Sequence, residues 1–182
     1  MNRLSDAEVT AIEHTPFVAK EDTDYEKRMR KQYNNTPCFE EYDCLSDRLS
    51  QNQPIIPGEA ICSRDGHLMF GLDHDGSLQW KNCTAGEKKV YHKGSDGTNT
   101  GSFIMTESAD FIVYNKNGEV TWELPCDVEV ERHTQCYTVP SGSITYDCPY
   151  LHLHRGGNVA LNYIDGKDWI AASINKFYTF RG

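Results

Sequence analysis

No apolar run in this 182-residue chain comes near the roughly 18 residues that a membrane-crossing helix needs. Basic residues are in the minority, 18 Lys and Arg against 27 Asp and Glu, which leaves a net charge of −9. The densest basic run, Lys27-Arg28-Met29-Arg30-Lys31, is too short to offset that charge against a phosphate backbone, so nucleic acid is not an expected partner. The chain has no phosphate loop, no nucleophile elbow and no His-Glu-x-x-His, and an enzyme is not expected. It also lacks Cys-x-x-Cys, which argues against a thiolate zinc site, and no cofactor is expected. Met1-Asn2-Arg3-Leu4-Ser5-Asp6 opens no signal-peptide core.

Cysteine, by contrast, is plentiful. Seven Cys and the two glycosylation sequons at Asn34 and Asn82 point to an oxidising, extracellular setting, with any leader lying outside this sequence. Seven is odd, so at least one Cys is unpaired or bonds another chain. Proximity suggests Cys38 with Cys44 and Cys62 with Cys83, leaving Cys126, Cys136 and Cys148 to share one bond; other connectivities stay open.

Thr106 to Trp122 is the stretch that orders the rest. Phe103, Met105, Phe111 and Val113 alternate as one buried strand face, Asn117-Gly118 supplies a hairpin turn, and Glu119 to Trp122 returns. Ser63 to Trp80, with its turn at Asp75-Gly76, follows the same plan. So does His154 to Trp169, with its turn at Asp165-Gly166. Equivalent points His67, Asp110 and Asn158 lie roughly 45 residues apart, the scale of one supersecondary unit. Each repeat closes on a Trp, and three sheets too small to bury their own faces would share a core around Trp80, Trp122 and Trp169. The linkers, 88–101 and 127–148, are expected to carry the remaining strands, and Ile174 to Phe180 reads as a final one.

These hairpins, with the lead-in from Asp47 to Gly66, resemble the bulb-type, or monocot mannose-binding, lectins over about Asp47 to Ser173. The resemblance implies an all-β chain: a β-prism II of three antiparallel sheets with pseudo-threefold symmetry over 46–182, after a partly helical extension over 1–45. It further implies a non-enzymatic, mannose-type glycan-binding module that exchanges C-terminal strands with its neighbours in a homo-oligomer. In that family each sheet carries Gln-x-Asp-x-Asn-x-Val-x-Tyr, whose polar groups pair with sugar hydroxyls while Val packs on ring carbons. Carried over, the first repeat has Ser63, Asp65, His67, Met69 and Gly71; the second Thr106, Ser108, Asp110, Ile112 and Tyr114; the third His154, Gly156, Asn158, Ala160 and Asn162. No repeat keeps the full set. Two readings therefore stand: a module with altered or weakened sugar specificity, best preserved in the second repeat, or an assembly subunit that keeps the fold as a scaffold.

Four smaller signals remain. Ser5-Asp6-Ala7-Glu8 has capping-box form. Asp22 to Tyr33 reads as a helix, capped by Asp22 or Thr23, with one stripe of Tyr25, Met29 and Tyr33 that must pack on this prism or on a neighbour. Asp73-His74-Asp75-Gly76-Ser77 begins like a calcium loop, but its twelfth position is Thr84, and a hairpin accounts for it better. His152 and His154 share a strand face, and without an evident third ligand they are read as solvent-facing polar residues.

Overall fold

Period-two alternation shapes the strands of this protein. The computed structural model describes residues 20–94, 99–125, 137–138, 146–147, 150–165 and 168–173, with backbone alone at 137–138, 146–147 and beyond 162. The first sheet holds β1 (Asp43–Ser46), β3 (Glu59–Cys62), β4 (Leu68–Leu72), β5 (Leu78–Asn82) and β6 (Lys88–His92), in the order β1-β3-β4-β5-β6. The second holds β7 (Thr100–Met105), β8 (Phe111–Asn115) and β9 (Val120–Leu124). The third runs β14 (Asp168–Ser173), β13 (Val159–Asp165), β12 (Tyr150–Leu153) and β2 (Arg48–Ser50). Tyr137–Thr138 (β10) and Tyr146–Asp147 (β11) form a separate antiparallel ribbon in the second linker. The expected all-β prism is present, with one departure from a purely antiparallel plan: β1 joins the first sheet parallel to β3.

The first two turns are those expected. Gly76 (φ 85°) and Gly118 (φ 82°) supply the left-handed residues that close β4 to β5 and β8 to β9. Asp73 N–H donates to Ser77 O, and the Asp75 carboxylate accepts from Ser77 N–H, as a hairpin turn requires.

One apolar core lies between the sheets. Leu68, Phe70 and Leu72 enter from the first, Phe103, Met105, Phe111 and Val113 from the second, and Leu151, Leu153, Val159 and Leu161 from the third. Phe103 meets Phe70 edge-on at 5.7 Å and stacks on Phe111 at 6.3 Å. Trp80 is buried, and its Nε1 donates to Gly157 O of the third repeat at 3.1 Å. Trp122 departs from the expected central position: among the described residues β9 is the last strand of its sheet, and Trp122 is half-buried at the core's margin, stacked on His92. The side chain of Trp169, the Asp165-Gly166 turn, the Ser5–Glu8 box, the 174–180 strand and Cys126, Cys136 and Cys148 lie outside the described residues.

The segment after Asp47 stitches the sheets together. β2 pairs with β12, placing Leu49 opposite Leu151, and Ile55 exchanges both backbone hydrogen bonds with Phe103. β3 then enters the first sheet, so the stretch from Arg48 to Cys62 touches all three walls in turn.

The first sheet is apolar on its outer face too, and the extension covers it. Helix α1 (Asp24–Arg30) starts at Thr23, which forms a full capping box with Glu26; acidic residues occupy its first turn and basic ones its last. Tyr25 and Met29 turn inward onto Phe39 of helix α2 (Pro37–Glu41) and onto Ala60, Cys62 and Met69 of the sheet. The partner surface of the aromatic stripe is thus the same prism. Buried Glu26 ties the helix down: it accepts from Lys20 at 2.6 Å and from the Cys44 N–H at 3.2 Å. The Tyr25 hydroxyl donates to Cys62 O at 2.8 Å, and burial pushes its pKa well up.

The disulfides correct the pairing by proximity. Cys38 bonds Cys83, and Cys44 bonds Cys62. Cys38 N–H donates to Gly66 O and Cys83 N–H to His67 O, so both cysteines sit over one turn, whereas Cys44 lies on β1, which runs beside β3 and its Cys62. Replacing Cys38 and Cys83 together by Ala should cost about 2–4 kcal/mol by releasing a loop of sequence separation 45 in the unfolded chain. Urea unfolding measures it; an unchanged midpoint would contradict the cross-link.

Candidate functional site

Each hairpin presents an outer face where the motif residues stand, and the three faces differ. In the first repeat, Ser63 and Asp65 are spent on the β3–β4 turn: the Ser63 hydroxyl donates to the Asp65 carboxylate at 2.7 Å and accepts from Leu68 N–H, while Asp65 also accepts from His67 N–H. His67 Nδ1 pairs with the Thr84 hydroxyl. Met69 is fully buried beneath the extension, and Gly71 is pressed against the backbone of Ala60, where a Cβ would come within 2.6 Å. This face is filled by the protein's own helices.

In the second repeat, Thr106 closes the loop before β8: its hydroxyl accepts from Asp110 N–H at 3.1 Å and its own N–H donates to Asp110 O. Ala109 turns inward with φ 59°, which leaves Ser108 exposed at the loop tip. Because Phe111 and Val113 point into the core, Ile112 and Tyr114 stand on the opposite face, both half-buried. Across the ladder Ile112 faces Ile104 and Glu123, and Tyr114 faces Ser102 and Val120. At the turn end of this sheet, Asn99, Thr100, Asn115 and Thr121 line a small hollow of about 110 Å³.

In the third repeat the outer face carries Tyr150 opposite Asn162, His152 opposite Ala160, and His154 bonded through its N–H to Asn158 O. The Asn162 amide donates to the Tyr150 hydroxyl at 3.1 Å. Asn158 Oδ1, Asn162 Oδ1 and His152 Nδ1 are buried without a hydrogen-bond partner among the described residues, and all three belong to this repeat. Buried polar atoms left over in this way are uncommon in folded proteins.

Beside that face opens a cleft of about 260 Å³, lined by Asp47, Arg48, Arg64, His152, His154 and Arg155. Asp47 is its hub, accepting from or paired with His152 Nε2 at 3.1 Å, Arg64 Nε at 3.4 Å and Arg48 Nε at 3.8 Å. Burial works against ionisation of Asp47, but the His152 hydrogen bond and the charges of His152, Arg48 and Arg64 outweigh it and hold the carboxyl below its usual range. Burial, aided by neighbouring His152, pushes His154 the other way for a base, toward the neutral form. The two imidazoles lie 4.2 Å apart. No three His, Cys, Asp or Glu side chains converge for a metal among the described residues. Arg48 stacks on Tyr150 at 4.6 Å, and Arg155 donates to the Tyr33 hydroxyl. Asp47, Arg48, Arg64 and Arg155 were not legible as a site, because they come from separate segments and no period links them.

No family model matches the sequence, and no curated protein matches it. Among solved structures, the chain is similar to a Marasmius oreades lectin, 18% identical, over 75% of this chain and 95% of that one, with a TM-score of 0.48. It is also similar to a monomeric monocot mannose-binding lectin from Gastrodia elata, 17% identical over 69% and 96%, with a TM-score of 0.44. The third is the mannose-specific agglutinin of snowdrop, Galanthus nivalis, solved with methyl-α-D-mannoside: 15% identical over 67% and 94%, with a TM-score of 0.42.

Asp47→Asn should destabilise the protein by about 1–2 kcal/mol, since its partners lose a charged acceptor in a buried position. The folded pKa of Asp47 is depressed, so its contribution is complete above the ordinary carboxylate value of about 4 and is lost as pH falls through the lowered one. Denaturant midpoints of wild type and variant at stepped pH should therefore converge in acid.

Proposed function

We propose that this chain is a non-enzymatic carbohydrate-binding module built on the lectin-like prism, acting outside the cell with weakened or altered mannose-type specificity. The observation that carries the reading is the second sheet: Ile112 and Tyr114 stand half-buried on one outer face, with Asp110 two residues before Ile112. Tyr offers a hydroxyl, Ile an apolar wall for ring carbons, and Asp a carboxylate acceptor. Few groups are engaged, so one monosaccharide should bind with a Kd on the order of millimolar, and useful strength would come from multivalency.

The extracellular part of the reading is supported by the two disulfides and by Asn34, whose sequon is exposed at its acceptor residue. Asn82 is committed to its turn, its Oδ1 accepting from Thr84 and Ala85 N–H, which makes Asn34 the better glycan acceptor of the two. A second reading, a scaffold in a homo-oligomer, is favoured by one observation: the first motif face is packed shut by residues 20–45, so that repeat serves the fold alone. Light scattering on the full chain would find a dimer or larger under that reading; a monomer at all accessible concentrations would refute it and leave the glycan-binding module standing.

A glycan array on the purified protein should show weak binding to mannose-type glycans. Tyr114→Phe combined with Asp110→Ala should lower it at least tenfold; a variant that binds as well as wild type would remove the second sheet as the site.

A further inference from the structure

We propose that the cleft between the lead-in and the third sheet is a separate binding site for an acidic saccharide, one carrying a carboxylate or a sulfate. The chain as a whole is strongly anionic, yet three guanidiniums, Arg48, Arg64 and Arg155, gather here against one carboxylate, Asp47. Such a local surplus of positive charge in a negative protein attracts an anion to this place and to few others.

Donors are also in surplus. Each guanidinium has five N–H groups in a fixed fork that matches a carboxylate or sulfate in two-point fashion. Asp47 already takes the His152 Nε2 contact and meets Arg48 and Arg64 most closely at Nε, so it can use only part of what they offer. The side chains of Arg48 and Arg64 are 49% and 54% exposed, which leaves their outer ends open to an incoming ligand. His152, whose Nε2 is spent on Asp47, has a second ring nitrogen that is buried and has no hydrogen-bond partner among the described residues. In either protonation state that atom is unspent, as a lone pair toward a hydroxyl or an N–H toward an anion.

At about 260 Å³ the cleft lies below the size of a pocket for drug-like molecules and suits a single sugar unit. The anion is argued from the arginines alone; the sugar rests on the carbohydrate-binding reading above. The two differ in place as well, since the cleft shares no residue with Asp110, Ile112 or Tyr114 of the second sheet.

Titrating the full-length protein by NMR at low salt, with D-glucuronic acid and D-galactose 6-sulfate as probes and D-glucose and D-galactose as neutral parents, tests the proposal. At least one acidic probe should bind tenfold or more tightly than its parent, and which one does so separates carboxylate from sulfate recognition. Arg155→Ala and Arg64→Ala, both at exposed side chains, should each weaken that binding about tenfold, with unfolding midpoints confirming that the variants fold. Equal binding of acid and parent, or acid binding unchanged in both variants, overturns the site. Inorganic sulfate binding as tightly as the acidic sugars overturns the saccharide while leaving the second-sheet reading to its own array test.

Discussion

A sheet that is apolar on both faces must be covered twice, and much of this structure follows from that requirement. On one side of the first sheet Phe70 and Leu72 join the common core; on the other Ala60, Cys62 and Met69 form the floor of a second cluster. Left bare, that floor would invite association. The extension meets it with Tyr25, Met29 and Phe39, and a short amphipathic helix that would be marginal alone in water becomes stable because it has this surface to bury. The buried carboxylate of Glu26 and the two disulfides then fix its place.

Three copies of one hairpin have met three different fates for a physical reason. The inner faces are bound to each other by the shared core and keep their alternation. The outer faces have no such obligation: one has become apolar and is sealed, one holds a half-buried aromatic and aliphatic side chain in the motif register, and one has gathered charge from the lead-in and from the turn of its neighbour. Symmetry of fold therefore sets no symmetry of surface.

The legibility of the sequence divides along the same line. The hairpins, the inner alternation of Phe103, Met105, Phe111 and Val113, and the Tyr25–Met29 stripe could be read because each is periodic and local. The disulfides could not, because Cys38 and Cys83 meet only after a helix of the extension is laid over the β3–β4 turn of the first repeat. Trp122 was expected at the centre on repeat symmetry, but among the described residues β9 is the outer strand of its sheet and Trp122 is half-buried at the core's margin. The arginine cleft draws on the lead-in, the first turn and the third repeat, and no window of sequence contains it.

The pairing of β2 with β12 also bears on how the chain reaches this state. Asp47 and His152, joined across that boundary, are separated by 105 residues. At ribosomal rates of about 5–20 residues per second, β2 waits on the order of 5–20 seconds for its partner strand to be made. During that interval the inward side chains of the first two sheets have no third wall, while the hairpins themselves form on a far shorter timescale. Maturation is thus paced by synthesis of the last repeat, and the nascent chain spends its vulnerable seconds as an open prism.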